Sequence, residues 1–308
     1  MSPVDPVAPR SGLLEGVRRS GPGTALTASA KKALRSVGVA TANWRPGPDL
    51  VVVGAKRGGT TSLWRYLSEH PGMLPTFPRA QQIKGTYFFD EEWDRGLAWY
   101  RSHFPTTARR RLAERHVGHP VCSFEASPYY LFHPLAPMRA RQVVPEALVV
   151  AVLRDPVERA FSHWKERRNH TESLSFAEAL AAEAARTAGE EQRLIDDPRY
   201  RSMAHRHQTY VAQGCYAPML ERWFEAFGRD RVLVVPSEEM YADPQAFCDQ
   251  VTGRLGLPTH ALSSVEPWNA EPSAGMDSEV RAMLTEQLTP HVEATEALLG
   301  RALPWSKA

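Results

Sequence analysis

Apolar residues occur along this chain in two kinds of pattern. Leu50–Val53, Ala147–Leu153 and Arg231–Pro236 are short, nearly continuous and rich in β-branched residues, as expected of strands buried on both faces of a parallel sheet. Elsewhere apolar positions recur with helical spacing. Thr60–Ser68 sets Leu63, Tyr66 and Leu67 on one side, and Tyr216–Phe227 turns Leu220, Trp223 and Phe224 inward. Val157–Glu166, Phe176–Ala188, Asp243–Leu255 and Asp277–Leu299 are predicted as further helices. Buried strands alternating with helices specify an α/β fold with a central, mostly parallel sheet flanked by helices.

Composition adds exclusions. At 308 residues, 43% hydrophobic and 23% charged, the chain is long enough to bury a core without metal or disulfide staples. It is not collagen-like, coiled-coil or disordered, and no apolar run approaches the ~18 residues of a membrane span. The net charge of +2 is uneven: residues 1–45 hold seven Lys/Arg against two Asp/Glu, so the +5 there leaves the remainder at −3. A mildly acidic body argues against a nucleic-acid partner. Cys122, Cys215 and Cys248 are sparse, odd in number and outside any C-x-x-C pattern, which fits a reducing compartment and neither a zinc site nor a disulfide framework. The opening MSPVDPVAPRSGLLEGVRRS has no apolar h-region, so cytoplasmic residence is expected. Residues 1–46, with a short basic helix over Ala28–Val37, are expected to form a flexible basic extension with at most weak membrane contact. The domain proper is expected over residues 47–308.

The most informative stretch follows the first strand. Val51-Val-Val-Gly-Ala-Lys-Arg-Gly-Gly-Thr-Thr-Ser-Leu63 places three glycines and two cations between a buried strand and a helix. Such a loop presents backbone N–H groups and a helix N-terminus to an anion. Gly58 and Gly59 permit close backbone approach, Lys56 and Arg57 supply charge, and Thr60, Thr61 and Ser62 supply hydroxyls. Gly54 and Gly59 have the spacing of a Walker A loop, but Thr60 stands where its lysine belongs. The loop therefore suits a 5′-phosphate-type group without a γ-phosphate.

A second anion site follows the second strand. Arg154 ends that strand, and Asp155 (N-cap), Pro156 (first helical position) and Glu158 (capping box) start a helix at once. Arg154 offers a guanidinium fork to a phosphate, and Ser162, two turns on, adds a hydroxyl. Two sites imply one ligand with two separated phosphates.

Gly54–Ser62 and the Arg154/Ser162 pair together resemble the sulfotransferases that use 3′-phosphoadenosine 5′-phosphosulfate (PAPS), a family with a P-loop-like three-layer α/β fold. The likeness continues through Lys84-Gly-Thr-Tyr-Phe-Phe-Asp90, Phe124-Glu-Ala-Ser-Pro-Tyr-Tyr130, Gly214-Cys-Tyr216, RVLVVPSEEMYADP and the ending Leu299-Gly-Arg-Ala-Leu-Pro-Trp305, so it spans about Pro48 to Trp305 and is closest to the carbohydrate (heparan-type) members. The resemblance implies PAPS as sulfuryl donor, adenosine 3′,5′-bisphosphate (PAP) as product and no metal. It also implies that Arg57 matches the family's loop lysine, and that Tyr216 belongs with the cofactor-binding residues.

Sulfuryl transfer requires in-line geometry, a proton acceptor and charge stabilisation at the leaving oxygen. Lys56, Arg57 and the threonine hydroxyls suit the last task. The proton acceptor is less evident, because the family's glutamate, histidine and lysine positions are Gly85, Tyr87 and Ala126 here. Remaining candidates, in order, are Glu125, Asp90, Lys84 and Tyr87. The modest charge of the body favours a small-molecule, short-glycan or lipid-linked acceptor over a long polyanion, and the segment from Phe176 to Gln213 is a candidate lid on the acceptor side. Trp93, Trp99 and Tyr100 suit core packing better than an acceptor surface. The competing assignments are a P-loop kinase or NTPase and a catalytically impaired nucleotide-binding module.

Overall fold

A computed structural model describes residues 28–263 and 275–307. Five strands form one parallel sheet: β1 (Leu50–Gly54), β2 (Met73–Leu74), β3 (Cys122–Ala126), β4 (Leu148–Leu153) and β5 (Val232–Pro236), in spatial order β2-β3-β1-β4-β5. The three predicted strands become β1, β4 and β5, with ends shifted by no more than a residue. The sequence prediction did not include β2 or β3 as elements. β2 is two residues long, and β3 reads CSFEA, a polar–apolar mixture, although every one of its residues is buried.

Alternation along the strands builds a core on each face of the sheet. Val51, Val53, Val149 and Ala151 face the Tyr216–Phe227 helix through Leu220 and Trp223, together with Phe88, Phe89 and Tyr100. Leu50, Val52, Val150 and Val152 face Leu63 and Leu67 of the Thr60–Glu69 helix and Phe247 and Val251 of the Pro244–Arg254 helix. Trp93 and Trp99 pack against the first of these cores, and Phe88 stacks on Tyr100 at 4.5 Å between ring centres. A third cluster joins the Pro156–Arg168 and Phe176–Thr187 helices through Val157, Phe161, Phe176 and Leu180.

Of the basic N-terminal segment, residues 1–27 lie outside the described residues. The part that is described is a helix, Ala28–Ala40, docked on the body: Arg35 donates to Ser102 Oγ (2.9 Å) and to the Phe77 carbonyl (3.1 Å). Cys122, Cys215 and Cys248 are all free thiols. Among the described residues no helix is long and apolar enough to cross a membrane.

The loop after β1 is latched to β4. The Ala55 N–H donates to the Val152 carbonyl at 2.6 Å, and the Gly58 N–H closes a turn onto the Ala55 carbonyl at 2.8 Å. A Cβ at Gly58 would lie 2.4 Å from the same Val152 oxygen, so no side chain fits there. Gly58→Ala is expected to cost ~1–3 kcal/mol by overpacking, read as a lower urea midpoint. Gly253→Ala, in a helix with open space around it, is expected to gain ~0.4–1 kcal/mol instead.

Candidate active site

β1 and β4 are parallel neighbours, so the segments that follow them emerge at the same sheet edge. Between them lies a cleft of about 520 Å³. From the β1 loop, Lys56, Arg57, Gly59, Thr60, Thr61 and Ser62 line it; from the β4 end, Arg154; from the segment beyond β2, Lys84 and Tyr87. The two sites expected from sequence therefore open onto one space. They also touch. Arg57, in a left-handed conformation (φ 67°), donates from Nε to Ser162 Oγ at 3.0 Å, which leaves the serine O–H able to donate.

The helix after β4 starts as its sequence indicates. Asp155 Oδ1 accepts the N–H groups of Val157 (2.8 Å) and Glu158 (3.3 Å), with Pro156 in the first turn. Glu158 does not complete a capping box; it pairs with Arg281 at 2.6 Å and lies 4.0 Å from Arg154. Tyr216 does not line the cleft. It is buried and donates its O–H to the Arg154 carbonyl at 2.7 Å, fixing the strand end from behind. Ser162 and Gly58 are buried at the edge of the cleft, Ser162 in direct contact with Arg57 of its lining.

Lys84 joins the cleft lining to the start of the helix after β1. Its Nζ donates to both Thr60 Oγ1 and Thr61 Oγ1 at 2.9 Å. Burial, with Arg57 nearby, pulls its ammonium down to about 7. Burial also pulls Lys56 down to about 7, and that side chain donates to His207 Nδ1 at 3.1 Å. Two lysines with only neutral hydrogen-bond partners are a poor arrangement for stability and a good one for holding an anion, which supplies the missing counter-charge.

Glu125 and Asp90 lie outside the cleft lining. Glu125 is fully buried, and its Oε2 accepts from the Thr86 N–H (2.7 Å), Thr86 Oγ1 (2.8 Å) and Ser127 Oγ (3.0 Å). Burial raises its carboxyl, and the hydrogen bonds tie the segment after β2 to β3. Asp90 is buried behind Tyr87, accepts the Glu91 N–H at 2.6 Å, and is pushed up to about 7 by burial. Neither carboxylate is presented to an acceptor in the cleft. His163 packs on Tyr210, with 5.1 Å between ring centres, and burial keeps it neutral.

The cleft also contains residues that the sequence reading did not single out, although Arg206 and His207 lie in the expected acceptor-side segment Phe176–Gln213, and Ser237, Glu238 and Tyr241 in the RVLVVPSEEMYADP stretch. Arg206 and His207, on the short Met203–His207 helix, form one wall; Ser237, Glu238 and Tyr241, after β5, form another. Arg206 pairs with Glu91 and lies over the rings of Tyr87 (5.0 Å) and Tyr129 (5.4 Å). No local motif marks these positions, because tertiary contact alone brings them in. Glu166 also lines the cleft. It did leave a signal, being four residues beyond Ser162 and thus on the same helix face. Among the described residues no group of three or more His, Cys, Asp or Glu is arranged to hold a metal.

A parallel sheet whose glycine loop and strand-end arginine open onto one cationic cleft defines a P-loop-like α/β protein built to hold an anion. The model of the family described as "Sulfotransferase family" matches residues 48–261, and the chain belongs to that family. It is 27% identical over 289 residues to a bifunctional heparan sulfate N-deacetylase/N-sulfotransferase 4 of Mus musculus, covering 83% of this chain and 31% of that protein. It is 30% identical over 210 residues to heparan sulfate glucosamine 3-O-sulfotransferase 3B1 of Homo sapiens, covering 68% of this chain and 46% of that protein. The chain thus spans a third to a half of the length of these curated relatives. The crystal structure of a sulfotransferase from Alicyclobacillus acidocaldarius superposes with a TM-score of 0.62 at 30% identity, covering 85% of this chain and 99% of that one.

Lys84→Met removes a desolvated ammonium and keeps its stem. It is expected to raise the thermal midpoint, by about 2–4 °C for each kcal/mol of desolvation relieved. The folded chain releases the Lys84 proton at about 7 and the unfolded chain at 10.5, so the advantage of the variant shrinks as pH rises through that window. Thermal scans of both proteins across the window check this.

Proposed function

We propose that this protein transfers a sulfuryl group from PAPS to a hydroxyl or amine of an acceptor by in-line displacement. The observation that carries the proposal is the junction of the two anion sites: Arg57 on the loop meets Ser162 on the helix, with Arg154 in the same cleft. A donor with phosphates at both ends of one nucleoside suits that pair of sites. The donor set is appropriate to the ligand: guanidinium forks at Arg57 and Arg154, two lysines of lowered basicity, and threonine hydroxyls at a helix N-terminus. Arg154 and Ser162 would hold the 3′-phosphate; Lys56, Arg57, Lys84, Thr60 and Thr61 would hold the 5′-phosphosulfate and the charge that develops on its leaving oxygen. A Walker-type kinase would need a lysine at position 60, which is a threonine.

The acceptor approaches from the wall built by Tyr87, Tyr129, Arg206 and His207. The heparan sulfate enzymes among the relatives are named for a glycan acceptor. A small molecule or short glycan suits this chain better than a long polyanion, because outside its first 45 residues the chain carries a net charge of −3.

PAP is expected to raise the thermal midpoint without magnesium, and Mg-ATP is expected not to. Stabilisation by Mg-ATP alone would reverse the assignment. Arg154→Ala should weaken PAP binding by ~10–100-fold, the loss of about 1.5–3 kcal/mol for a charged hydrogen bond. Above neutral pH, PAP binding should draw protons onto Lys56 and Lys84, because a bound anion raises both from about 7. Calorimetry in buffers of different ionisation enthalpy reads that uptake.

A further inference from the structure

We propose that Glu166 is the general base that takes the proton from the acceptor, an inference that rests on the transfer activity proposed above. Among the described residues two carboxylates line the cleft, Glu166 and Glu238. Glu238 is engaged elsewhere: its Oε1 accepts the Asp155 N–H at 3.2 Å, at the Arg154 end. Glu125 is consumed by Thr86 and Ser127, and Asp90 is buried behind the cleft wall. Position 85 has no room for a carboxylate, since a Cβ there would lie 2.4 Å from Ser127 Oγ and 2.5 Å from the Ala126 carbonyl.

Glu166 has what the others lack. It is one helical turn beyond Ser162, is partly exposed, and lines the cleft. It shares the cleft lining with Lys56, Lys84 and Tyr87, and its charge acts on all three. Arg57, Arg206 and His207 share the cleft with it, and Lys165 and Arg167 flank it on its own helix.

The step balances. The acceptor oxygen or nitrogen forms its bond to sulfur as the bond from sulfur to the 5′-phosphate oxygen breaks. That oxygen keeps the electron pair beside Arg57 and Lys84, and the acceptor proton passes to a Glu166 oxygen.

The test uses the full chain with labelled PAPS and acceptors of graded acidity: p-nitrophenol, phenol, an alkyl alcohol and an amino-sugar oligosaccharide. Glu166→Gln is expected to lower kcat by ~10²–10⁴-fold for weakly acidic hydroxyls and much less for p-nitrophenol, whose own acidity replaces the base. PAP affinity, measured by calorimetry on the protein without donor, should stay within about threefold, and Glu166→Asp should recover part of the rate. Unchanged kcat in the Gln variant would overturn the base and leave the transfer activity standing. A loss that is equal across all acidities, or matched by lost PAP affinity, would make Glu166 a structural or donor-binding residue and overturn it equally. A wild-type protein that binds PAP yet transfers to nothing in the panel overturns the transfer activity, and the base with it.

Discussion

One carbonyl group sets the separation of the two anion sites. Val152, two residues before Arg154 on β4, accepts the Ala55 N–H and leaves no space for a side chain at Gly58. The loop that carries Lys56 and Arg57 is therefore fastened to the strand that carries Arg154. A ligand with charges at two ends needs a rigid receptor of fixed span, since each degree of slack is entropy lost on binding. Here the span is set by backbone hydrogen bonding inside the sheet, where neighbouring side chains have little influence on it. Tyr216 completes the device by holding the Arg154 carbonyl from the other side.

The cost of this arrangement falls on the lysines. Lys56 and Lys84 are desolvated among hydroxyls, a histidine and other cations, which is why both sit near 7. A protein optimised for stability alone would place apolar side chains there or pair the charges. The free protein instead retains a deficit of negative charge that its ligand relieves, the usual relation between active-site strain and function. Glu125 and Asp90 are turned into the packing and held by backbone and hydroxyl donors, whereas Glu166 and Glu238 line the cleft beside the cations.

Much of this was legible in the sequence because it is local. A β-branched run, a glycine loop and a helix start are consecutive in the chain, and so are a strand-end arginine, its Asp-Pro cap and a serine two turns on. These gave β1, β4, β5 and the two segments that meet at the cleft. What the sequence obscured depends on contacts distant along the chain. β3 mixes Ser and Glu with Phe because Glu125 serves the segment after β2 and Ser123 meets Asp49 just before β1, so its composition does not resemble that of a buried strand. Lys84 stands in a stretch without regular structure, and nothing local indicates that its ammonium reaches two threonines some 24 residues earlier. Arg206, His207 and Tyr241 arrive by tertiary packing. Glu166 lay within reach of helical spacing, as the next inward position after Ser162.

The Met203–His207 helix, which carries Arg206 and His207 into the cleft, is anchored at three points: Ser202 donates to Glu190, His205 Nδ1 lies 2.7 Å from the Tyr129 hydroxyl, and His207 Nδ1 lies 3.1 Å from Lys56 Nζ. The wall it forms is held to the β1 loop and to the segment after β3 by side-chain hydrogen bonds. Exchanging residues 190–207 would therefore reshape this wall and release Lys56 from His207, while the span between Arg57 and Arg154 stays as the sheet drew it.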